Sequence, residues 1–440
     1  IVGSDTMSNT VSGNYVGTDA SGTVDLGNRW YGVCIGEGSQ YNTIGGDTAA
    51  ERNVISGNDD VGVGIQDSGT MSNTVSGNYV GTDASGAADL GNDYDAVYIN
   101  TGAQNNVIGG DTPGERNVLS GNGRSGVYIT DEGTTGNVVL GNYVGVDASG
   151  AADLGNDSHG IGLYGDAQYT IIGGDTEGQR NVISGNGGHG IQIGNPAVAY
   201  NTIAGNYVGT DATGTARLGN DEHGIDIYND AHDNTIGPGN VIAANGGHGI
   251  ELSGRTDNHA IYANYVGTNA AGAAVLGNAG HGIRIYSGNR DNTIGPDNVI
   301  AYNGGHGVTI EGDRATGHTI TRNSIFANDV GIDLVDGANG GIAAPVIVDT
   351  TLGSVNVVGV ACPGCTVEVF TNGDTDGEGE RYVGSADADG SGVFTVTAGS
   401  LGSAYLTATA TDVISGTSEF SAVFTCTVRF VYLPVVLNDS

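Results

Sequence analysis

The sequence predicts an all-β chain: a solenoid of short parallel strands over most of its 440 residues, then a β-sandwich. Three observations carry this. A ten-residue segment returns, as GNYVGTDASG at 13–22 and 77–86, GNYVGVDASG at 141–150, GNYVGTDATG at 205–214 and ANYVGTNAAG at 263–272. Asn14, Asn78, Asn142, Asn206 and Asn264 therefore stand 64, 64, 64 and 58 residues apart, and a fixed period of this size signals a repeat architecture. A four-residue word, small-aliphatic-any-aliphatic, recurs eleven times from GVCI (32–35) to GIDL (331–334). No stretch has helical periodicity, and Gly and Asn punctuate every apolar run.

Each word alternates aliphatic with other residues, which is strand periodicity. In GIQI (190–193), Ile191 and Ile193 point inward and Gln192 outward. A second short word, NTI, NVI or NTV, follows each first one. Strands of three to five residues with one circuit every 24 to 34 residues describe a coil. Circuits stack about 4.8 Å apart, so eleven make a rod roughly 50 Å long around columns of Ile, Val and Leu.

This pattern resembles the right-handed parallel β-helix proteins, particularly secreted bacterial ones carrying NYIGTDxxG…LGN repeats, over about residues 5–340. The resemblance implies a right-handed parallel β-helix at 1–340. It implies no single activity, because that fold hosts lyases, hydrolases, adhesins and passive surface proteins.

His159, His189, His223, His248, His281 and His306 each precede the Gly of the strand word in six successive circuits. Polygalacturonases are locally similar, with a Gly-His-Gly in a β-helix, but here no Asn-Thr-Asp exists and GIRIY (282–286) lacks a Lys. An active site needs one His against one set of carboxylates. Six equivalent copies read as a stacked ladder, with a metal-binding column or a single catalytic His as alternatives. Protonating such a column sets like charges about 5 Å apart, at about 0.8 kcal/mol per neighbour even in water, so stability should fall through the histidine pH range.

Asn58, Asn122, Asn186, Asn245 and Asn303 occupy one turn and the Asn14 series the other; their amides can bond to copies above and below, or contact sugars. Asp19, Asp83, Asp147 and Asp211 recur in TDASG and its variants, and Asp25, Asp89 and Asp153 before Leu-Gly-Asn. Such a column needs a bridging Ca²⁺ unless its loops splay into water. Arg284, between Glu251 and Thr309, reads as a salt-bridged surface residue. No Lys base and no Ser or Cys nucleophile motif is present, and no residue is assigned as catalytic.

Residues 343–428 alternate as strands (PVIV, VNVVGV, TVEVF and on to SAVFTCTV) and resemble an Ig-like β-sandwich. Cys362 and Cys365, in ACPGCTV, are close enough for a local disulfide; Cys34 and Cys426 are left over. Asp374 and Asp376, with Glu378 and Glu380, lie on one loop that reads as a Ca²⁺ loop or a solvated hairpin. Residues 429–440 form an apolar tail whose Phe430, Val431, Tyr432, Leu433, Val435, Val436 and Leu437 must cover something, with Pro434 suited to an edge strand.

Thirteen Arg, no Lys and 49 acidic residues give a net charge of −36, which argues against nucleic acid and anionic membranes as partners. No apolar run approaches the roughly 18–20 residues of a membrane span. The chain starts at Ile1 without a visible signal peptide, so it was processed or its beginning was not captured. Acidity and few cysteines lean towards an extracellular or cell-surface setting. A coil that starts without a cap and ends in a sandwich with a sticky tail has two different complementary ends. The leading expectation is a structural protein assembling head to tail with copies of itself into a filament, sheath or matrix by donating residues 430–437. The alternatives are a carbohydrate-active enzyme (polysaccharide lyase or glycoside hydrolase) and a glycan-binding adhesin. No cofactor is required; Ca²⁺ stays open.

Overall fold

A computed structural model describes residues 1–351, 356–398, 401 and 403–426. The two recurring words become three parallel sheets of eleven strands each, with every strand paired to its equivalent one circuit on. Sheet one runs from Thr10–Val11 to Thr319–Ile320, sheet two from Tyr15–Val16 to Ser324–Phe326, and sheet three from Val33–Ile35 to Ile332–Val335. Like residues stack on like: Ile191, Ile225, Ile250, Ile283 and Val308 are consecutive partners. These columns form one continuous buried core from Ile35 to Ile332. Each such side chain contributes about 1.5–3 kcal/mol on burial. Among the described residues, no helix is long and apolar enough to cross a membrane.

The strands are too short to shield their turns, and asparagine does that work. Three lines of side chains run beside the core, two of them unbroken and the third interrupted at Thr170. One joins Asn28, Asn58, Asn92 and Asn122 onward through Asn186, Asn245 and Asn303 to Asn328. A second runs from Asn14 through Asn117 and Asn142 to Asn323. In each, the Oδ1 of one Asn accepts from the amides of the Asn before it, and its Nδ2 donates to the next. Up to Asn206, successive members of the second line alternate between 39 and 25 residues apart. The 64-residue period therefore spans two rungs, because only alternate rungs carry the TDASG loop.

A third line, from Asn9 through Asn42 and Asn73, holds two histidines in asparagine positions. His259 Nδ1 accepts the Asn234 N–H at 3.1 Å, and His318 Nδ1 accepts that of Asn292 at 3.3 Å. Burial pushes both imidazoles down to about 4. The native state therefore binds fewer protons than the unfolded chain below about pH 6.5, and the contribution of each is lost as pH falls from there towards 4. His259→Asn should restore the ladder's usual residue and recover about 2 kcal/mol at pH 5 relative to pH 8. Chemical denaturation at the two pH values checks this; an unchanged pH slope would refute it.

The TDASG loops project from the coil and are closed from within. Asp147 Oδ1 accepts the N–H groups of Ala151 and Ala152, both at 3.0 Å, and both its oxygens accept from Ser149. Asp19, Asp83 and Asp211 repeat this arrangement. Each of these four carboxylates accepts hydrogen bonds within its own loop, and the loops meet through backbone, as in Ala148 N–H to Gly86 O at 2.8 Å.

Beyond the coil lie two antiparallel sheets, one of Val346–Thr351, Asn356–Val360 and Val393–Thr397, the other centred on Thr366–Asn372 and Tyr405–Asp412. Cys362 and Cys365 are bonded to each other, and Cys34 and Cys426 are free. Asp374 and Asp376 share an exposed loop, where Asp374 accepts the Asp376 N–H.

These sheets seal the last rung. Gly416 pairs with His318 and Gly379 with Ile325. Thr417 Oγ1 accepts the Ile320 N–H at 2.8 Å, and Glu368 accepts from Thr321 and Arg322. Glu378, raised to about 7 by burial, accepts the backbone and side-chain amides of Asn328 and so ends an asparagine line. These sheets therefore close the C-terminal mouth of the coil, because donors that a bare last rung would orphan are satisfied within the chain. The tail residues Phe430, Val431, Tyr432, Leu433, Val435, Val436 and Leu437 lie outside the described residues.

Candidate functional site

Sheet three presents one outward residue per rung, and this column changes character along the rod. Tyr98 and Tyr128 come early; Gln192, Asp226, Glu251, Arg284 and Thr309 follow on consecutive rungs. The histidine column runs beside it, because each His stands two residues before the word's first aliphatic.

The six histidines form a stacked ladder from His159 to His281 and His306, with ring centroids 4.8–5.1 Å apart. The N–H of each next histidine donates to the Nδ1 below it: His189 to His159 at 3.1 Å, His223 to His189 at 3.1 Å, His248 to His223 at 2.8 Å, His281 to His248 at 2.9 Å and His306 to His281 at 2.9 Å. This accounts for the Gly before His189, His248, His281 and His306. A Cβ on Gly188 would sit 2.6 Å from His159 Nδ1, and one on Gly305 2.7 Å from His281 Nδ1. Since Nδ1 accepts in His159, His189, His223, His248 and His281, the ring proton of each is on Nε2, and these five form a row of neutral Nε2–H donors. Burial, followed by the neighbouring rings, pushes His189 and His248 down to about 3.

Those donors face the acidic column. His189 Nε2 lies 3.0 Å from Glu222 Oε2 and 3.4 Å from Asp226 Oδ2. His223 and His248 direct Nε2 at the two oxygens of Glu251, at 3.5 and 3.4 Å. Gln192 Nε2 also donates to Asp226 Oδ2, at 2.9 Å. Both protein donors thus reach Oδ2, leaving Oδ1 to carry a proton. Burial raises the Asp226 carboxyl to about 7. Glu251 is instead ion-paired: Arg284 Nη1 is 3.3 Å from its Oε2, and Arg284 is held in turn by Glu311 at 2.8 Å. Tyr228 and Tyr286 wall the resulting open groove, about 480 Å³ in volume.

The site gathers three of the expected ladder residues, His189, His223 and His248, but none of the expected calcium ligands. Asn122, Asn186, Asn245 and Asn303 have buried amides, so they hold the turn and cannot touch a sugar. Asp226, Glu251 and Glu222 were not singled out from sequence as acids. The available signal was the middle residue of the strand word, which turns charged in three consecutive copies (GIDI, GIEL, GIRI).

Among the described residues one group has three side chains with metal-ligating atoms within 4.8 Å of one another, His223, His248 and Glu251. It does not fit a metal ion. Ligation through Nε2 requires the proton on Nδ1, where the next rung's N–H already points, and the Arg284 cation adjoins Glu251.

Two family models match parts of the chain: a right-handed β-helix region over residues 218–344, and the periplasmic copper-binding protein NosD over 87–275. No curated protein matches. Among solved structures, the periplasmic alginate epimerase AlgG is 16% identical, with 68% of this chain and 75% of that one covered and a TM-score of 0.38. The A-module of the mannuronan C-5 epimerase AlgE6 from Azotobacter vinelandii is 19% identical, with 76% and 81% covered and a TM-score of 0.38. Tailspike protein 2 of an Escherichia coli bacteriophage is 12% identical, with 92% and 62% covered and a TM-score of 0.32. With its three parallel eleven-stranded sheets, the chain is a right-handed parallel β-helix protein.

Proposed function

We propose that this protein is a carbohydrate-active enzyme that cleaves glycosidic bonds in the groove around Asp226 and Glu251. One observation carries the reading: two carboxylates on adjacent rungs, whose strands stack about 4.8 Å apart, are held in opposite ways. Such a pair divides acid from nucleophile, and a separation near 5 Å suits a retaining mechanism. Asp226, protonated up to about pH 7, donates its proton to the glycosidic oxygen as the bond from that oxygen to the anomeric carbon breaks. Glu251, aligned by Arg284 and the Nε2–H groups of His223 and His248, bonds to the anomeric carbon. Water, deprotonated by Asp226, then releases the sugar and restores both residues. A location outside the cytoplasm accords with the Cys362–Cys365 bond and with the periplasmic family model that overlaps residues 87–275.

The test is incubation of the full chain with a panel of neutral and acidic polysaccharides. New reducing ends, absent with Asp226→Asn and Glu251→Gln, support it. Binding without product makes the protein an adhesin, and unsaturated products replace hydrolysis by elimination; either result overturns the reading.

A further inference from the structure

The outward face does not end at the acid groove. Just past Ser253 and Tyr286 of its wall, the surface sinks into a second depression of about 680 Å³, lined by Arg255, Arg290 and Arg314. The three lie on consecutive rungs. Thr256 N–H donates to Asn289 Oδ1 at 2.9 Å, which stacks Arg255 on Gly288, and a Cβ on Gly288 would stand 3.4 Å from that of Arg314. Gly288, at φ +81°, thus leaves open space between two arginines about 10 Å apart, and Arg290 approaches from the rung between them.

Three acidic residues share the depression, Asp257, Glu311 and Asp313. Asp257 Oδ1 accepts the Arg290 backbone N–H at 2.7 Å, and Glu311 is gripped by Arg284 at 2.8 and 3.1 Å. With Asp313 these acids equal the three arginines in number. Among the described residues, none of these three arginines makes a side-chain hydrogen bond or ion pair. Elsewhere Arg52, Arg116 and Arg180 each lie over a tyrosine ring and donate to a backbone carbonyl. Like charges on neighbouring rungs repel unless an anion lies between them. In a chain with 13 arginines, no lysine and a net charge of −36, three arginines on consecutive rungs are a local concentration of cationic groups.

We infer that the Arg255–Arg290–Arg314 depression is a subsite for an acidic sugar, binding the carboxylate or sulfate of a residue next to the one cleaved at Asp226 and Glu251. The inference rests on the glycan reading of the groove and names its substrate class. A guanidinium presents paired donors that match the oxygens of either anion. The rung repeat of about 4.8 Å is close to the length of one sugar in an extended chain, so a polysaccharide lying along the axis would bring successive anions past successive arginines.

The test is affinity electrophoresis of the full chain in gels containing polygalacturonate, dextran sulfate or neutral dextran. Retardation is expected with one of the two anionic polymers and not with dextran, and it should weaken with added salt; which polymer retards separates carboxylate from sulfate. The variant R255Q/R290Q/R314Q should lose about tenfold or more in affinity at an unchanged melting temperature. Should it fail to fold, Arg290→Gln alone must still weaken binding. No retardation, equal retardation by all three polymers, or undiminished binding in the variants overturns the subsite. Anionic binding without cleavage keeps the subsite and removes the hydrolytic reading. Cleavage of dextran without anionic binding does the reverse.

Discussion

Asp226→Asn is expected to lower kcat by about 10²–10⁴-fold, the usual contribution of a positioned proton donor. An amide retains the shape and accepts from Gln192 and His189 as the carboxyl does, but has no acidic proton for the leaving oxygen. The same change should stabilise the protein. Burial lifts the Asp226 carboxyl from an ordinary 3.8 to about 7. The native state therefore holds a proton that the unfolded chain has released, and this contribution to stability disappears as pH rises from about 4 through about 7. At pH 8 the variant should gain up to about 4 kcal/mol, less whatever His189 returns by partnering the ionised group. Activity of the unaltered protein should fall above about pH 7, as Asp226 loses its proton. Rate assays between pH 5 and 9, with urea denaturation at pH 8, read all three. A variant that keeps its turnover ends the assignment of Asp226 as the acid. Lost activity with an unraised unfolding midpoint would mean that the residue is not buried as described.

Asn117→Ala should have the largest effect on stability of any single change in the coil, at about 3–5 kcal/mol. Its Oδ1 accepts the backbone N–H of Asn78 at 2.9 Å and the Asn78 side-chain amide at 3.1 Å. Its Nδ2 donates to Val75 O at 2.8 Å and Asn142 Oδ1 at 2.9 Å. Truncation strands two buried donors and one acceptor on the rung before and one acceptor on the rung after. Asn117→Asp should be no better, since a carboxylate cannot donate onward. Equilibrium denaturation checks this, and a loss below about 1 kcal/mol would show that the ladder is not continuous there.

How far the residues could be read in advance follows from what repeats. Eleven strand words, spaced by one circuit, sufficed for the number of rungs and the inward aliphatic columns, since only parallel stacking buries every copy alike. The histidine column was legible for the same reason: Gly-His-Gly recurs in phase with the strand. The asparagine lines were half legible. Asn122 and Asn186 announce themselves by repetition, whereas Asn92 and Asn156 come from the Leu-Gly-Asn word of alternate rungs and join the same line only once the loops are folded out. His259 and His318 broke the pattern and so were invisible as ladder members.

Periodicity, then, was enough for the shape of this chain, because a repeat constrains every copy identically. Chemistry resides in departures from the repeat, and a departure has no phase to betray it. Asp226, Glu251 and Arg284 are three dissimilar residues scattered over 59 positions of sequence. They become one groove because parallel stacking sets them on adjacent rungs, and burial then drives Asp226 to its neutral form while Arg284 pairs with Glu251. Likewise the closure of the C-terminal mouth depends on Thr417, Glu368 and Glu378 reaching back to the last rung, a long-range pairing with no local signal.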